Sequence, residues 1–181
     1  YAKDRLAMRS LTGPKAPEKP ADPIIVHPDV RRMLMIQKSV AEGGRAMIYY
    51  CSLLVDKIRA NKSEEDVQAA EAMLSFLTPI AKAFLTEVGY EAANHGVQVF
   101  GGHGFISEWG MEQIVRDTRI AMLYEGTTGI QALDLLGRKV LMSQGEALKV
   151  FTKVVHKFCK AHEDNADMKE FVEPLAKLNK E

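Results

Sequence analysis

Two short stretches hold the residues whose types and spacing could do chemistry. The first is Tyr124-Glu125-Gly126-Thr127-Thr128-Gly129, directly after the amphipathic run from Met111 to Leu123. A carboxylate between an apolar run and a small-residue break can lose water and still reach outward. Those conditions raise a carboxyl pKa toward neutrality and make a useful base. The plainer reading of Glu125 is a helix-end carboxylate that caps the next helix or faces water. Thr127 and Thr128 could cap that helix themselves, leaving Glu125 for other work. The second stretch is Gln98-Val99-Phe100-Gly101-Gly102-His103-Gly104-Phe105. Glycines let a backbone approach a ligand closely, and turn amides bind anions, so Gln98 with Gly101 and Gly102 could meet a phosphate. The same glycines also read as a helix C-cap. No strand precedes them, so they are not a dinucleotide fingerprint.

The remaining polar residues read more plainly. Arg116, Asp117 and Arg119 suit a charged helix face or an interhelical ion pair, and Arg5 is either a phosphate contact or an exposed arginine. No pair among His27, His95, His103, His156 and His162 has metal spacing. Glu91 to His95 is one residue too long for the Glu-x-x-His motif of di-iron bundles. The nine methionines suit core filling. Cys51 and Cys159 sit in apolar helical patterns, read as buried and inert, and suit a reduced, cytosolic setting rather than a disulfide framework.

These residues need elements to position them. The chain has 181 residues, 46% hydrophobic and 27% charged, with a formal net charge of +0. That is enough for one domain with a sizeable core, and nothing in the charge balance points to nucleic acid or an anionic membrane. The apolar runs fall short of the roughly 20 residues that span a bilayer. The chain opens without Met, and Tyr1 to Met8 reads like the last turns of a helix, so a piece of a longer protein is expected.

From Ser10 to Pro28 five prolines (Pro14, Pro17, Pro20, Pro23, Pro28) impose a loop, with Pro23 to Pro28 packed down on the surface. Pro28-Asp29 opens a helix that keeps its apolar period to about Ala60, with Gly43-Gly44 as a packing notch. Asn61-Lys62-Ser63 is a turn, and Ser63 with the acids behind it caps a second helix to about Phe100. Pro79 should kink or break that helix. Its later stripe includes Ile80, Phe84, Leu85, Val88, Ala92, Val97 and Val99, and Gly101 to Gly104 stop it. Further helices are expected over Met111 to Tyr124, Thr127 to Met142, Ala147 to His162 and Met168 to Leu178. The fold class is all-α, an up-and-down helical bundle of long helices packed lengthwise.

Taken together, Gln98 to Phe105, Met111 to Asp117, Ile120 to Thr127 and Ile130-Gln131 resemble the C-terminal domain of the acyl-CoA dehydrogenase family. Tyr1-Ala2-x-x-Arg5 resembles the end of that family's first C-terminal-domain helix. The likeness covers Tyr1 to about Val140 in order and spacing. Pro23 to Leu34 and the tail beyond Gly137 resemble the larger branch with C-terminal extensions, which includes 3-methylmercaptopropionyl-CoA dehydrogenases. The resemblance divides the chain into a bundle over 1–142 and a helical extension over 143–181, with the parent's N-terminal and middle domains absent.

It implies α,β-dehydrogenation of an acyl-CoA thioester with FAD, Glu125 as the base, and electron-transfer flavoprotein as acceptor. Arg5, Gln98, Gly102 and Thr127 match FAD contacts, Arg5 near the pyrophosphate and Gln98 and Gly102 on the adenosine diphosphate part, often across a subunit interface. Tyr124 and Gly126 match the substrate side of the base. Gly129 stands where members commonly carry Gln. A homodimer or homotetramer is implied, with no nucleic acid and no transmembrane segment. The alternatives are an acyl-CoA oxidase, in which oxygen takes the electrons, and a non-catalytic helical interaction module.

Overall fold

The computed structural model describes residues 1–60 and 63–180; Asn61 and Lys62 of the expected turn lie outside them. The fold is all-α. The helices are α1 (Pro28–Ala60), α2 (Glu64–Phe100), α3 (Gly102–Phe105), α4 (Met111–Ile120), α5 (Thr128–Leu133), α6 (Glu146–Ala161) and α7 (Lys169–Leu178). Two 3₁₀ turns, Ile24–Val26 and Ser107–Trp109, and a π-helical segment, Asp134–Leu141, complete the order. Among the described residues no helix is long and apolar enough to cross a membrane.

The chain forms two compact units. The first comprises Tyr1–Tyr49 with Ala81–Thr128, the second Tyr50–Ile80 with the chain from Gly129 onward.

In the first unit α1 and α2 run antiparallel. A side chain at Gly44 would sit 3.2 Å from Leu85 Cδ2, and one at Gly96 would sit 3.6 Å from Gln37 Oε1 and 2.5 Å from Met111 Cε. Gly44 is thus the notch, whereas a Cβ at Gly43 meets nothing within 4 Å. Met33, Ala81, Ala93 and Val99 are buried, but Phe84, assigned to the same stripe, is 56% exposed.

The opening segment departs from the expected helix end. Only one turn forms, with the amides of Asp4 and Arg5 donating to the Tyr1 carbonyl at 2.9 and 2.8 Å. Leu6 then bridges antiparallel to Pro23. Ala7 N–H donates to the Asp22 carbonyl (3.0 Å), and Asp22 N–H donates to the Met8 carbonyl (2.9 Å). These pairings compete with the helix for the same backbone groups and win, because the proline loop returns the chain alongside. The segment from Pro23 to His27 is half-buried, as its apolar character implies.

Asp22 organises the loop. Its side chain is fully buried. It accepts hydrogen bonds from the amides of Ser10 (2.9 Å), Lys15 (2.9 Å) and Ala16 (2.8 Å) and from Arg9 Nη1 (3.2 Å). Arg9 also donates to the carbonyls of Ala16 and Lys19. The Ser10 amide foremost, with those of Ala16 and Lys15 and the Arg9 guanidinium, outweighs burial and brings the Asp22 pKa down to about 2.

Ser63 caps α2 as expected. Its Oγ accepts the Asp66 amide (3.1 Å) and donates to Asp66 Oδ2 (2.7 Å). Pro79 does not break α2, which runs through it. The proline is fully buried, and packing offsets the hydrogen bond it denies to the Ser75 carbonyl.

In the second unit Met73, Phe76 and Leu77 of α2 are buried, as are Cys159 and Val172. The Phe76 and Phe151 rings meet at 5.4 Å, and Lys139 Nζ donates to Ser75 Oγ at 2.6 Å. Cys51 is only half-buried, and desolvation raises its thiol pKa. The two terminal helices fall within a residue of their expected bounds.

One expected helix is cut short and another changes its winding. The one from Met111 ends at Ile120 rather than Tyr124, since bonds from Ala121, Met122 and Leu123 reach back only three residues. Left-handed backbone at Glu125 (φ 53°) and Gly126 (φ 94°) then interrupts the winding. The next starts at Thr128 and widens into the π segment after Leu133, where Met142 N–H bonds the Gly137 carbonyl.

A side chain at Gly104 would lie 2.4 Å from the Val97 carbonyl oxygen. Gly104→Ala should therefore destabilise the protein by about 1–3 kcal/mol, read by thermal or urea unfolding, while Gly43→Ala should leave stability unchanged or slightly higher. A folded-state pKa depressed from 3.8 to about 2 means the stabilisation by Asp22 is full above the unfolded value and is lost as pH falls through the folded one. Hydrogen exchange at the Ser10, Lys15 and Ala16 amides should rise, beyond the intrinsic trend, as pH falls through that range. Asp22→Asn should abolish this step.

Candidate functional site

A surface pocket of about 390 Å³ in the first unit gathers Arg5 with Gln98 and Gly102, which lie far from it in the sequence. Its lining includes His27 and His103 and no carboxylate. Arg5 is exposed and makes no ion pair among the described residues. Gly101 takes φ 59° and ψ −138°, a conformation that favours glycine. A Cβ at Gly101 or Gly102 would meet no atom of the chain within 4 Å, so this side of the turn is open, whereas Gly104 faces inward. An open glycine turn beside an unpaired guanidinium suits an anion such as a diphosphate.

Aromatic rings support this pocket from beneath. Tyr1 stacks on Phe100 at 4.3 Å, and His103 stacks on Trp109 at 5.1 Å. Tyr1 and Trp109 meet edge to face at 5.4 Å, and the Tyr1 hydroxyl hydrogen-bonds His103 Nδ1 at 2.8 Å. His27 Nε2 donates to the Ala7 carbonyl (2.8 Å), which fixes its tautomer because a carbonyl only accepts. Sequence reasoning passed over Tyr1, His27 and His103 as pocket residues and Trp109 as the ring packed behind them. Rings clustered around the glycine run were the available signal for His103 and Trp109.

Glu125 does not line that pocket. It sits at the apex of the left-handed turn, and its side chain is exposed, as are Tyr124 and Thr127, while Gly126 is half-buried. The desolvation expected of Glu125 is therefore not supplied by this chain's own residues. The turn is anchored by Thr128, whose Oγ1 donates to Glu87 Oε1 on α2 at 2.7 Å. Thr128 thus ties two helices together, a task the sequence did not disclose.

A second, shallower pocket of about 580 Å³ runs along α4 and is lined by Tyr90, Glu112, Arg116, Arg119, Ile120 and Leu123 among others. Arg119 lies over the Tyr90 ring at 5.6 Å, and Asp117 accepts from Gln113 within the same helix at 2.7 Å. Among the described residues Arg116, Asp117 and Arg119 form a charged face, not an interhelical ion pair.

Residues 15–141 match the sequence profile of the acyl-CoA dehydrogenase C-terminal domain. A 3-methylmercaptopropionyl-CoA dehydrogenase of Ruegeria pomeroyi is 45% identical over 155 residues, 86% of this chain and 26% of its own length. A butyryl-CoA dehydrogenase of Syntrophomonas wolfei is 38% identical, over 82% of this chain and 24% of its own. The broad-specificity linear acyl-CoA dehydrogenase FadE5 of Mycobacterium tuberculosis is 35% identical, over 93% and 28%. The chain thus spans about a quarter of the length of these curated relatives.

Replacing Thr128 by Val should cost about 1 kcal/mol by removing one exposed hydrogen bond to a carboxylate. Urea unfolding measures the loss, and Glu87→Gln should restore little of it in the double variant.

Proposed function

The chain belongs to the acyl-CoA dehydrogenase family, as its C-terminal domain, and on that premise we propose that its parent protein dehydrogenates acyl-CoA thioesters at the α,β bond with Glu125 as the base. The Glu125 carboxylate takes the α-proton and becomes a carboxylic acid. The electrons of the broken α-C–H bond form the new double bond, and the β-hydrogen departs with its electron pair. FAD, when bound, would supply the redox chemistry as a two-electron acceptor. Arg5, with Gln98 and Gly102, holds the diphosphate and adenosine side, and Thr127 adds a contact beside the base. Tyr124 and Gly126 flank the thioester.

The observation that carries this reading is the carboxylate-free pocket uniting Arg5, Gln98 and Gly102. The left-handed backbone at Glu125 supports the base. A non-glycine residue in that region costs about 1–2 kcal/mol, and such outliers gather where a side chain must be aimed. An α-C–H is a weak acid, so the base must be aligned and dry. The dryness comes from the acyl-CoA and from the parts of the protein beyond this chain. Residues 143–181 act as an extension of the bundle. The parent works as a cytoplasmic homodimer or homotetramer, with electron-transfer flavoprotein as its oxidant. The isolated stretch is inactive and binds FAD poorly.

The test uses the full-length protein mixed anaerobically with acyl-CoA thioesters. Glu125→Gln should keep the flavin spectrum while slowing its bleaching by about 10²–10⁴-fold. Bleaching at the unmodified rate would remove Glu125 from the mechanism.

A further inference from the structure

We propose that the buried Asp22–Arg9 knot is a positioning device for Arg5, acting through the backbone and not by touching ligand. The inference rests on the reading that the Arg5 pocket takes the FAD diphosphate.

Arg5 belongs to no helix or sheet. An exposed arginine on a loose segment would have to lose both backbone and rotamer freedom on binding, which weakens affinity. Here the backbone part of that freedom is removed in advance. The Arg5 amide donates to the Tyr1 carbonyl at 2.8 Å, and its carbonyl accepts the Ile24 amide at 2.9 Å. Flanking bonds join Ile25 N–H to the Ala2 carbonyl (3.0 Å) and Ala7 N–H to the Asp22 carbonyl (3.0 Å). The segment carrying Arg5 is therefore only as well placed as residues 22–25 opposite it.

Asp22 ends that partner segment. Its carboxylate gathers three amides of the loop, and Arg9, one residue beyond the paired segment, closes on it. Met8, between Arg5 and Arg9, takes φ 58° although it is not glycine, a conformation that persists only where its surroundings impose it. Asp22 does not line the pocket, so its effect on ligand passes through the paired segments that bring Arg5, with Ala7 and Ile24, to the pocket. Neither Asp22 nor Arg9 belongs to the sequence stretches that drew attention to the pocket.

The experiment is equilibrium binding of FAD to the full-length apoprotein, read by quenching of flavin fluorescence, for Arg5→Ala, Asp22→Asn and the double variant. Arg5→Ala should weaken FAD about tenfold or more, the loss of a charge-assisted contact. Asp22→Asn should weaken it severalfold, and the double variant should bind no more weakly than Arg5→Ala alone. Losses that multiply in the double variant, or Asp22→Asn binding like the unmodified protein, would overturn the positioning role while leaving the pocket reading intact. Unchanged binding by Arg5→Ala would instead overturn the pocket reading, and this proposal with it. Should Asp22→Asn fail to fold, Arg9→Met replaces it in the same cycle with the same expected outcomes.

Discussion

The chain leaving α2 folds back so tightly that an atom added at Gly104 would lie 2.4 Å from the Val97 carbonyl oxygen. That crowding on the inner side leaves the outer side, at Gly101 and Gly102, open to an incoming group. It also fixes where His103 points, and with it the ring cluster. Tyr1 lies against this cluster through Phe100 and the His103 nitrogen. The beginning of the chain is thereby fastened to a turn a hundred positions away, and Arg5 arrives beside the glycines. Aromatic pairs of this kind add about 0.5–1.5 kcal/mol each beyond their buried area, enough to hold a segment that has no regular structure of its own.

The two candidate regions of the first unit are built on opposite principles. Around Arg5 the backbone is held by its neighbours while the guanidinium is left unpaired, and the described pocket lining holds no carboxylate. At Glu125 the chain contributes direction rather than environment: a left-handed turn, an anchor from Thr128 to Glu87, and a carboxylate that faces outward. Under the proposed function, its surroundings are completed by what closes over it.

Much of the fold was legible because helical periodicity and end signals act locally. Ser63 with Asp66, the glycines after Phe100 and the start at Pro28 all lie where side-chain chemistry alone places them. What escaped depended on partners distant in sequence. Asp22 reads as one more acid in a proline loop until the chain returns Ser10, Lys15 and Ala16 to it. Phe84 fits an apolar stripe by spacing yet stays exposed, since spacing describes one helix and burial requires a second. Pro79 marks a break by its own chemistry, and burial overrides it. Of the site, Arg5, Gln98 and Gly102 were legible through their resemblance to a known pattern, and the structure adds their convergence. Of the ring cluster, Phe100, His103 and Trp109 lie close in sequence, whereas the pairing of Tyr1 with them was not legible, because a ring so far away in the chain carries no mutual signal.

The widened winding from Asp134 to Leu141 has a consequence for phase. Where amides reach back five residues rather than four, positions five apart become neighbours along the axis. Leu136 and Leu141, 59% and 73% exposed, then fall on one side, whereas a regular helix at about 100° per residue would set them roughly 140° apart. One surplus residue is thus absorbed without a bulge in the loops at either end. Its excision would let the segment tighten to regular winding while the later side chains keep their facing. The segment thus holds slack of one residue between α5 and α6.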